Sequence, residues 1–328
     1  MSILVTGGAG FIGSHVAGEL VGRGHDVVVL DDLSGGFAGN VPGGARLVEG
    51  SVLDAALVAR LFAGHRFTHV FHLAAYAAEG LSHFIRRFNY ANNVVGSMTV
   101  LNEAVKAEVR CVVFTSSIAV YGAGRTPMRE SRRPEPEDPY GIAKYAVELD
   151  LQAAHRLFGL EYIVFRPHNV YGERQHIGDR YRNVIGIFMN QLMRGEPMTI
   201  FGDGTQTRAF SYIGDVAPLI AGAIDVPGAF NQVFNVGADE ATTVNELAVL
   251  VARAMGREPR MAHLAARQEV LHALADHSRL AEVFGYRARW TLERGLQRMA
   301  EWALGVGPRE PGLRPDIEVG RNLPPSWT

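Results

Sequence analysis

The sequence predicts an α/β fold, in which a doubly wound parallel sheet is joined by a smaller, discontinuous α/β lobe. Short apolar runs typical of buried strands alternate with helical patterns through the first half of the chain. Strands that alternate with helices pair in parallel and need helices on both faces of their sheet. The 328 residues also exceed the usual size of one domain, which favours a second part.

The first half of the chain opens with a strand–turn–helix–strand unit. A buried strand at 3–5 leads into a glycine turn at 7–13, a helix at 14–23 and a second strand at 26–30. Further strands are predicted at 70–73, 112–115 and 162–165, with helices near 55–63, 92–108 and 140–158. This order predicts one continuous parallel sheet.

The pattern loosens after about residue 169, where arginine, glycine and proline become frequent. Helical patterns recur near 184–195, 214–225, 243–255 and 292–304. We expect the sheet domain to comprise residues 1–168 and about 211–237, and the lobe to comprise about 169–210 and 238–328. Residues 312–328 are rich in proline and glycine and are expected to form a surface arm.

The composition excludes several classes of function. Hydrophobic residues make up 47% and charged residues 20% of the chain, and the net charge is −2. No polybasic block offers the field that binding to nucleic acid or an anionic membrane requires. No basic region precedes the first apolar run, so a soluble cytoplasmic protein is expected. Cys111 is expected to be a buried thiol, and the 12 histidines show no ligand spacing, so no metal is expected.

Gly7, Gly10 and Gly13 form a glycine motif between the first strand and the first helix. Glycine lets the backbone approach a pyrophosphate closely, and a helix N-terminus offers free N–H groups and partial positive charge. The motif in this context predicts a dinucleotide site.

Asp31 and Asp32 follow the second strand. A carboxylate there accepts hydrogen bonds from the adenosine ribose and repels a 2′-phosphate. The pattern favours NAD over NADP, with Asp31 the better candidate because it directly follows the apolar run.

Tyr140 and Lys144 lie four residues apart on one predicted helix face, downstream of Ser117. A phenol is a poor base near neutrality unless its phenolate is stabilised, which an ammonium and a positive nicotinamide ring can do. Only Lys106 and Lys144 among the 32 basic residues are lysines, so a lysine here is informative. Ser117 follows a strand, at the sheet edge where doubly wound folds bind ligands, and is predicted to orient a substrate hydroxyl toward Tyr140.

Together these residues resemble the extended short-chain dehydrogenase/reductase family, and within it the UDP-hexose 4-epimerases. The resemblance covers nearly the whole chain and includes the segments 72–75, 92–94, 120–122, 166–172 and 201–210. It implies a Rossmann-type NAD-binding domain, a nucleotide-sugar-binding lobe and a homodimer paired through the helices near 92–108 and 140–158.

The resemblance also implies the site residues. Those implied for NAD are Gly7, Gly10, Phe11, Ile12, Gly13, Asp31, Asp32, Ser34, Ser51, Val52, Leu73, Ala74, Ala75, Asn93, Thr115, Ser116, Tyr140, Lys144 and Pro167. Those implied for the nucleotide sugar are Ser117, Asn169, Asn183, Val184, Thr199, Phe201, Arg208, Phe210 and Arg267. The chain departs from the family pattern at Ser51, where aspartate is usual, and near Glu269, which lies close to a usual aspartate.

The residues after Ser117 narrow the reaction. The family's dehydratases and decarboxylases typically place an acid there, whereas this chain has Ile118 and Ala119. We therefore expect Ser117, Tyr140 and Lys144 to catalyse epimerisation of a UDP-sugar at C4, of the UDP-glucose/UDP-galactose type, through a transient 4-ketose. One alternative is a UDP-glucuronate 4-epimerase, with arginines such as Arg86, Arg87, Arg180 or Arg182 facing the carboxylate, or another nucleotide-sugar epimerase. The other is a non-catalytic NAD-binding scaffold.

Overall fold

The computed structural model describes residues 1–124, 126–266, 272–312, 315–324 and 327. Its strands are β1 (Ser2–Thr6), β2 (Asp26–Asp31), β3 (Ala45–Glu49), β4 (His69–His72), β5 (Cys111–Thr115), β6 (Glu161–Pro167), β7 (Val170–Tyr171), β8 (Met198–Phe201), β9 (Thr207–Ala209), β10 (Ser211–Tyr212), β11 (Gln232–Val236), β12 (Ala241–Thr243), β13 (Met261–Leu264) and β14 (His272–Ala273). Its helices are α1 (Phe11–Gly22), α2 (Ala55–Gly64), α3 (Glu79–Ser82), α4 (Arg86–Tyr90), α5 (Gly96–Lys106), α6 (Pro139–Phe158), α7 (Val184–Met193), α8 (Ile213–Gly222), α9 (Val244–Ala254), α10 (Ser278–Phe284) and α11 (Leu292–Val306).

The main sheet has the order β11-β6-β5-β4-β1-β2-β3, and all of its pairs are parallel. The chain builds outward from β1 in one direction to β3 and then in the other to β11. The carboxyl ends of β1 and β4 therefore flank the point where the strand order reverses, which is where such sheets bind ligands. The predicted α/β class with a doubly wound parallel sheet is confirmed.

The central strands of the sheet are buried on both faces because they are apolar throughout. Ile3 and Val5 enter one core with α1, whereas Leu4 enters the opposite core with α2, α5 and α6. Side chains alternate across a strand, so a run of apolar residues serves both cores at once.

Helix α6 carries two of the predicted catalytic residues, and local signals fix its ends. Asp138 accepts a hydrogen bond from Gly141 N at 2.9 Å, and Pro139 occupies the first turn. Gly159 ends the helix in the left-handed region, at φ 73°. The start of the helix is thereby held at the edge of the sheet.

Among the described residues, those predicted to form the lobe include short strands and the helices α7, α9 and α11. Strand β8 pairs with β13, and β9 lies between β12 and β14. Helix α9 begins with a capping box between Thr243 and Glu246 and packs against α7 and α11. Strand β11 returns to the main sheet beside β6, and the division into two domains stays a prediction.

The described part of the chain lacks two kinds of feature. It contains no helix long and apolar enough to cross a membrane. It also contains no group of histidine, cysteine and acidic residues arranged to hold a metal ion.

Candidate active site

A cleft of about 330 Å³ opens at the carboxyl ends of the central strands. Most of the residues predicted for the site line it together. These are Gly7, Gly10, Phe11, Ile12, Gly13, Asp31, Asp32, Ser34, Val52, Leu73, Ala74, Ala75, Thr115, Ser116, Ser117, Tyr140, Lys144, Pro167, Asn169 and Asn183.

The glycine turn is as tight as the sequence predicts. Gly7 has φ 72°, and a Cβ atom on Gly13 would lie 2.0 Å from the carbonyl oxygen of Gly7. Helix α1 starts directly after Gly10, which lines the cleft. The turn therefore presents bare backbone and a helix N-terminus to the cleft.

Asp31 is held at the end of β2 by two main-chain hydrogen bonds. Its carboxylate accepts from Ala9 N at 2.9 Å and from Leu33 N at 2.8 Å. Burial raises the pKa of this carboxyl group, and these hydrogen bonds oppose that effect. Asp32 is exposed and accepts from the main chain and hydroxyl of Ser34, both through Oδ1, so Asp31 is the carboxylate that the fold holds in a buried, fixed position.

Lys144 reaches from α6 to the end of β5. Its Nζ donates to the carbonyl oxygen of Thr115 at 2.7 Å and lies 4.8 Å from the centre of the Phe114 ring. Burial lowers the pKa of Lys144 to about 7, and the nearby carboxylate of Glu148 acts in the opposite direction. The ammonium is therefore poised to lose or keep its proton near neutrality.

Tyr140 lies one helical turn before Lys144 and is buried. Burial raises the pKa of its phenol, and a hydrogen bond with Ser117 partly opposes this. The Ser117 hydroxyl also accepts from Ala119 N at 3.1 Å, which orients it. Lys144 Nζ lies 5.9 Å from the centre of the Tyr140 ring.

A buried ion pair lies behind these residues. Arg166 donates to Glu148 through Nε at 3.0 Å and through Nη2 at 2.5 Å, and both side chains are almost fully buried. The Ser116 hydroxyl donates to Glu148, and Arg166 Nη1 donates to Tyr121 Oη at 2.7 Å. The pair thus ties the ends of β5 and β6 to α6.

The family follows from comparison with known proteins. Residues 3–237 match the model of the NAD dependent epimerase/dehydratase family. The chain belongs to this family. NAD is its cofactor, as predicted.

Relatives in the family resemble the chain over almost their whole lengths. A UDP-glucose 4-epimerase of Mycolicibacterium smegmatis is 35% identical over 92% of this chain and 98% of its own. The UDP-glucose 4-epimerase of Thermotoga maritima, crystallised with UDP-glucose, is 37% identical with a TM-score of 0.86 over 92% and 98% of the two chains. The UDP-glucuronic acid 4-epimerase of Bacillus cereus, crystallised with UDP-glucuronic acid and NAD, is 25% identical with a TM-score of 0.85 over 93% and 100%.

The cleft suits the family's cofactor. The close approach of Gly13 to Gly7 leaves backbone that a pyrophosphate can reach, and Asp31 offers acceptors for ribose hydroxyls. Leu73, Ala74 and Pro167 add apolar surface farther along the cleft. The residues present therefore fit NAD.

Two residues predicted for NAD lie outside the lining. The Ser51 hydroxyl accepts from Leu53 N at 3.2 Å, while its neighbours Gly50 and Val52 line the cleft. The Asn93 amide is buried and bonds both main-chain groups of Tyr76, at 2.8 and 3.0 Å. Asn93 thus supports the loop after β4, and Asn92 lines the cleft instead.

Most lobe residues predicted for the nucleotide sugar also lie outside the lining, and their binding roles stay predictions. Thr199 accepts from Gln191 Nε2 at 2.9 Å, Arg208 donates to Thr207 O at 2.8 Å, and Phe210 is in the main core. Those outside the lining are Val184, Thr199, Phe201, Arg208 and Phe210. Arg267 and Glu269 fall outside the described residues.

The sequence did not assign several residues that line the cleft. These are Tyr76, Phe88, Asn92, Gln175, His176 and Asp179. Arg182, considered only as one of several candidates to face a carboxylate, also lines it and lies 5.0 Å from the centre of the Tyr76 ring. Its Nε donates to Asp179 at 2.6 Å, so its charge is already paired.

Proposed function

We propose that this protein epimerises a UDP-sugar at C4 through a transient 4-keto sugar. The proposal rests on one observation: Tyr140, Lys144 and Ser117 line one end of a cleft whose other end fits NAD. A non-catalytic scaffold has no need for a buried lysine beside a buried phenol, because burying both groups costs free energy.

Each of the three residues is assigned one role. Tyr140 Oη takes the proton of the C4 hydroxyl and later returns it. Ser117, already oriented by Ala119 N, bonds the same hydroxyl and holds it against Tyr140. Lys144 supplies positive charge that favours the phenolate.

Bound NAD supplies reversible oxidation at the sugar carbon. Burial alone raises the pKa of Tyr140, so the phenol can act as a base only when nearby positive charge stabilises its phenolate. The role of Lys144 is therefore electrostatic, and its hydrogen bond to Thr115 O keeps it in place.

The acids that line the cleft argue for simple epimerisation. Among the described residues, these are Asp31, Asp32 and Asp179, and none directly follows Ser117. Elimination or decarboxylation needs an additional acid or base at the reacting sugar, whereas reversible oxidation at one carbon needs one such group.

We assign the diphosphate to the start of α7. Asn183 lines the cleft and is followed by Val184, the first residue of that helix. The free N–H groups of a helix N-terminus favour an anion. By family resemblance, Asn169, Thr199, Phe201, Arg208, Phe210 and Arg267 complete the nucleotide site.

The pairing of Arg182 with Asp179 favours a neutral sugar over a uronate. A substrate carboxylate near Arg182 would meet a charge already paired with Asp179, whose oxygen lies 2.6 Å from Nε, and would be repelled by that aspartate. This preference separates the proposal from the UDP-glucuronate alternative.

We also propose a homodimer. Val95, Ile142 and Leu149 are large apolar side chains exposed to solvent at the start of α5 and on α6. Burial of such side chains against a second copy would stabilise a dimer. Light scattering of the wild type and of Leu149→Glu tests this, because the substitution should yield monomers.

The function is tested by proton NMR. The purified protein is incubated separately with UDP-glucose, UDP-N-acetylglucosamine and UDP-glucuronate. A galacto-configured product without net consumption of NAD supports the proposal and names the substrate. No conversion of any of the three by protein that retains NAD would contradict it.

A further inference from the structure

The end of the chain lies beside the cleft and outside its lining. We call residues 315–324 and Trp327 the C-terminal arm. The Trp327 side chain is only 6% exposed. Its ring lies edge-on to Phe84 at 6.0 Å and to Tyr181 at 5.2 Å between centroids. Trp327 therefore anchors the arm to the fold, while residues 318–322 are exposed.

Glu318 attaches the arm to α4. Its carboxylate accepts from Arg87 N at 2.7 Å and from Phe88 N at 2.9 Å. Ile85, which precedes the helix, provides no side-chain cap, so the arm supplies the acceptors that these N–H groups need. The main chain of Glu318 adds a hydrogen bond to Phe84 O at 2.8 Å.

The arm contacts residues that border the cleft on two sides, one formed by Phe88 and the other by Tyr181 and Arg182. Phe88 lines the cleft and packs edge-on against Tyr76, at 5.1 Å between ring centroids. Tyr181, which contacts Trp327, directly precedes Arg182, and Arg182 lies over Tyr76. The arm thus connects these two sides of the cleft, through Glu318 to Phe88 and through Trp327 to Tyr181.

The Phe88 side of the cleft also reaches the proposed catalytic tyrosine. Ser82 Oγ accepts from Tyr140 N at 3.2 Å, and Asn89 Nδ2 donates to Pro139 O at 2.9 Å. The segment 78–90 under the arm therefore adjoins the start of α6. This places Tyr76, Phe88 and Arg182 at the reacting end of the cleft, where the sugar must lie.

We propose that the C-terminal arm determines the affinity for the sugar, with Glu318 and Trp327 as positioning residues that fix Tyr76 and Phe88 opposite Arg182. The inference rests on the proposed function, because it takes a nucleotide sugar as the ligand. The NAD end is formed by the glycine turn and Asp31, which β1, β2 and α1 hold. Loss of the arm contacts should therefore weaken sugar binding and spare NAD.

The test compares Glu318→Ala and Trp327→Ala with Val319→Ala, a control on the same arm whose side chain is 43% exposed. Calorimetry measures the Kd of UDP and of the UDP-sugar that the wild type converts, and kinetics give KM and kcat. We expect both arm variants to raise the Kd and KM for the UDP-sugar about tenfold, equivalent to the loss of one good contact. The Kd of UDP, the kcat and the NAD content should stay within about twofold of the wild type.

The outcomes separate the two proposals. An equal loss of affinity for UDP and UDP-sugar, or a lower Tm with unchanged KM, would show that the arm only supports the fold and would overturn the inference. If the wild type converts its sugar but the arm variants keep the full affinity for it, the inference about the arm is overturned and the proposed function is not. A wild type that binds no UDP-sugar would overturn both, and this is seen before any variant is made.

Discussion

Lys144 donates from Nζ to the main-chain oxygen of Thr115 at 2.7 Å, which fixes α6 to the end of β5. The next turn of the helix brings Glu148 to Ser116 and Arg166. The proposed base Tyr140, the ammonium of Lys144 and the hydroxyls of residues 116 and 117 are therefore parts of one polar assembly. Such an assembly holds its members rigidly when every hydrogen bond is made.

Removal of the Tyr140 hydroxyl should abolish most turnover and leave the fold and NAD unaffected. The phenol is the proposed proton acceptor, and general acid–base groups contribute about 100- to 10,000-fold to a rate. Tyr140→Phe is therefore expected to lower kcat by that factor with an unchanged NAD content. Turnover is measured with the substrate identified by NMR.

Tyr145→Phe is the matched control, since Tyr145 is a partly buried tyrosine of the same helix that packs near Val120. It should retain turnover within about threefold. If Tyr140→Phe is as active as this control, the proposed mechanism is wrong.

Activity should decline as the pH rises through the pKa of Lys144. Burial lowers this pKa to about 7, so the ammonium that favours the phenolate is lost above that pH. Glu148 raises the pKa of Lys144, so Glu148→Gln lowers it and moves the alkaline decline of kcat/KM to lower pH.

The pH dependence is measured as kcat/KM between about pH 5 and pH 9. Asp150→Asn is the control, because it removes a carboxylate from α6 that is absent from the causes of the Lys144 shift. An alkaline limb at the same pH in Glu148→Gln and Asp150→Asn would refute the electrostatic role of Glu148.

The Glu148–Arg166 pair should matter more to stability when one partner is removed than when both are. A single buried partner leaves an unpaired charge, which costs about 3–5 kcal/mol. Arg166→Met should therefore lower the free energy of unfolding by that amount. Glu148→Leu/Arg166→Met should recover much of it, because neither member of the pair is then left without its partner.

Urea unfolding measures these differences. The exposed pair Arg23–Asp225, with side chains 37% and 56% exposed, supplies the comparison, and Arg23→Ala should cost about 0–1 kcal/mol. A double variant that is less stable than Arg166→Met would show that the pair itself contributes net stability.

The sequence could predict the central strands and the glycine turn because their signals are local. A continuous apolar run and a glycine required at a tight turn depend on neighbouring residues only. Strand β3 (Ala45–Glu49) was missed, because it lies at the sheet edge and its side chains are half-buried, without an apolar run. The short strands of the lobe carry too few residues to show a period.

Several contacts around the site could not be predicted because they join residues that are distant in the sequence. Asn93 supports the main chain of Tyr76, and Glu148 binds an arginine on another strand. Nothing near either residue in the sequence indicates these partners. The paired state of Arg182 likewise follows from the fold of the segment around Asp179.

Asp31 should govern the choice between NAD and NADP. Its carboxylate is oriented by Ala9 N and Leu33 N, so its remaining lone pairs face the cleft. Loss of hydrogen bonds to a charged acceptor costs about 1.5–3 kcal/mol, or roughly 10- to 150-fold in affinity. Asp31→Ser should weaken NAD by that factor and lower the ratio of the Kd for NADP to the Kd for NAD, since the repulsion of a 2′-phosphate is removed.

Asp32→Ser distinguishes this role from a general effect of negative charge at the end of β2. Asp32 is exposed whereas Asp31 is buried, so solvent screens the charge of Asp32 and its loss should change the Kd ratio less than the loss of Asp31. Both ratios are measured by calorimetry on protein stripped of its cofactor. If Asp32→Ser changes the ratio as much as Asp31→Ser does, discrimination comes from the summed charge of the two aspartates, and the assignment of Asp31 to the ribose fails.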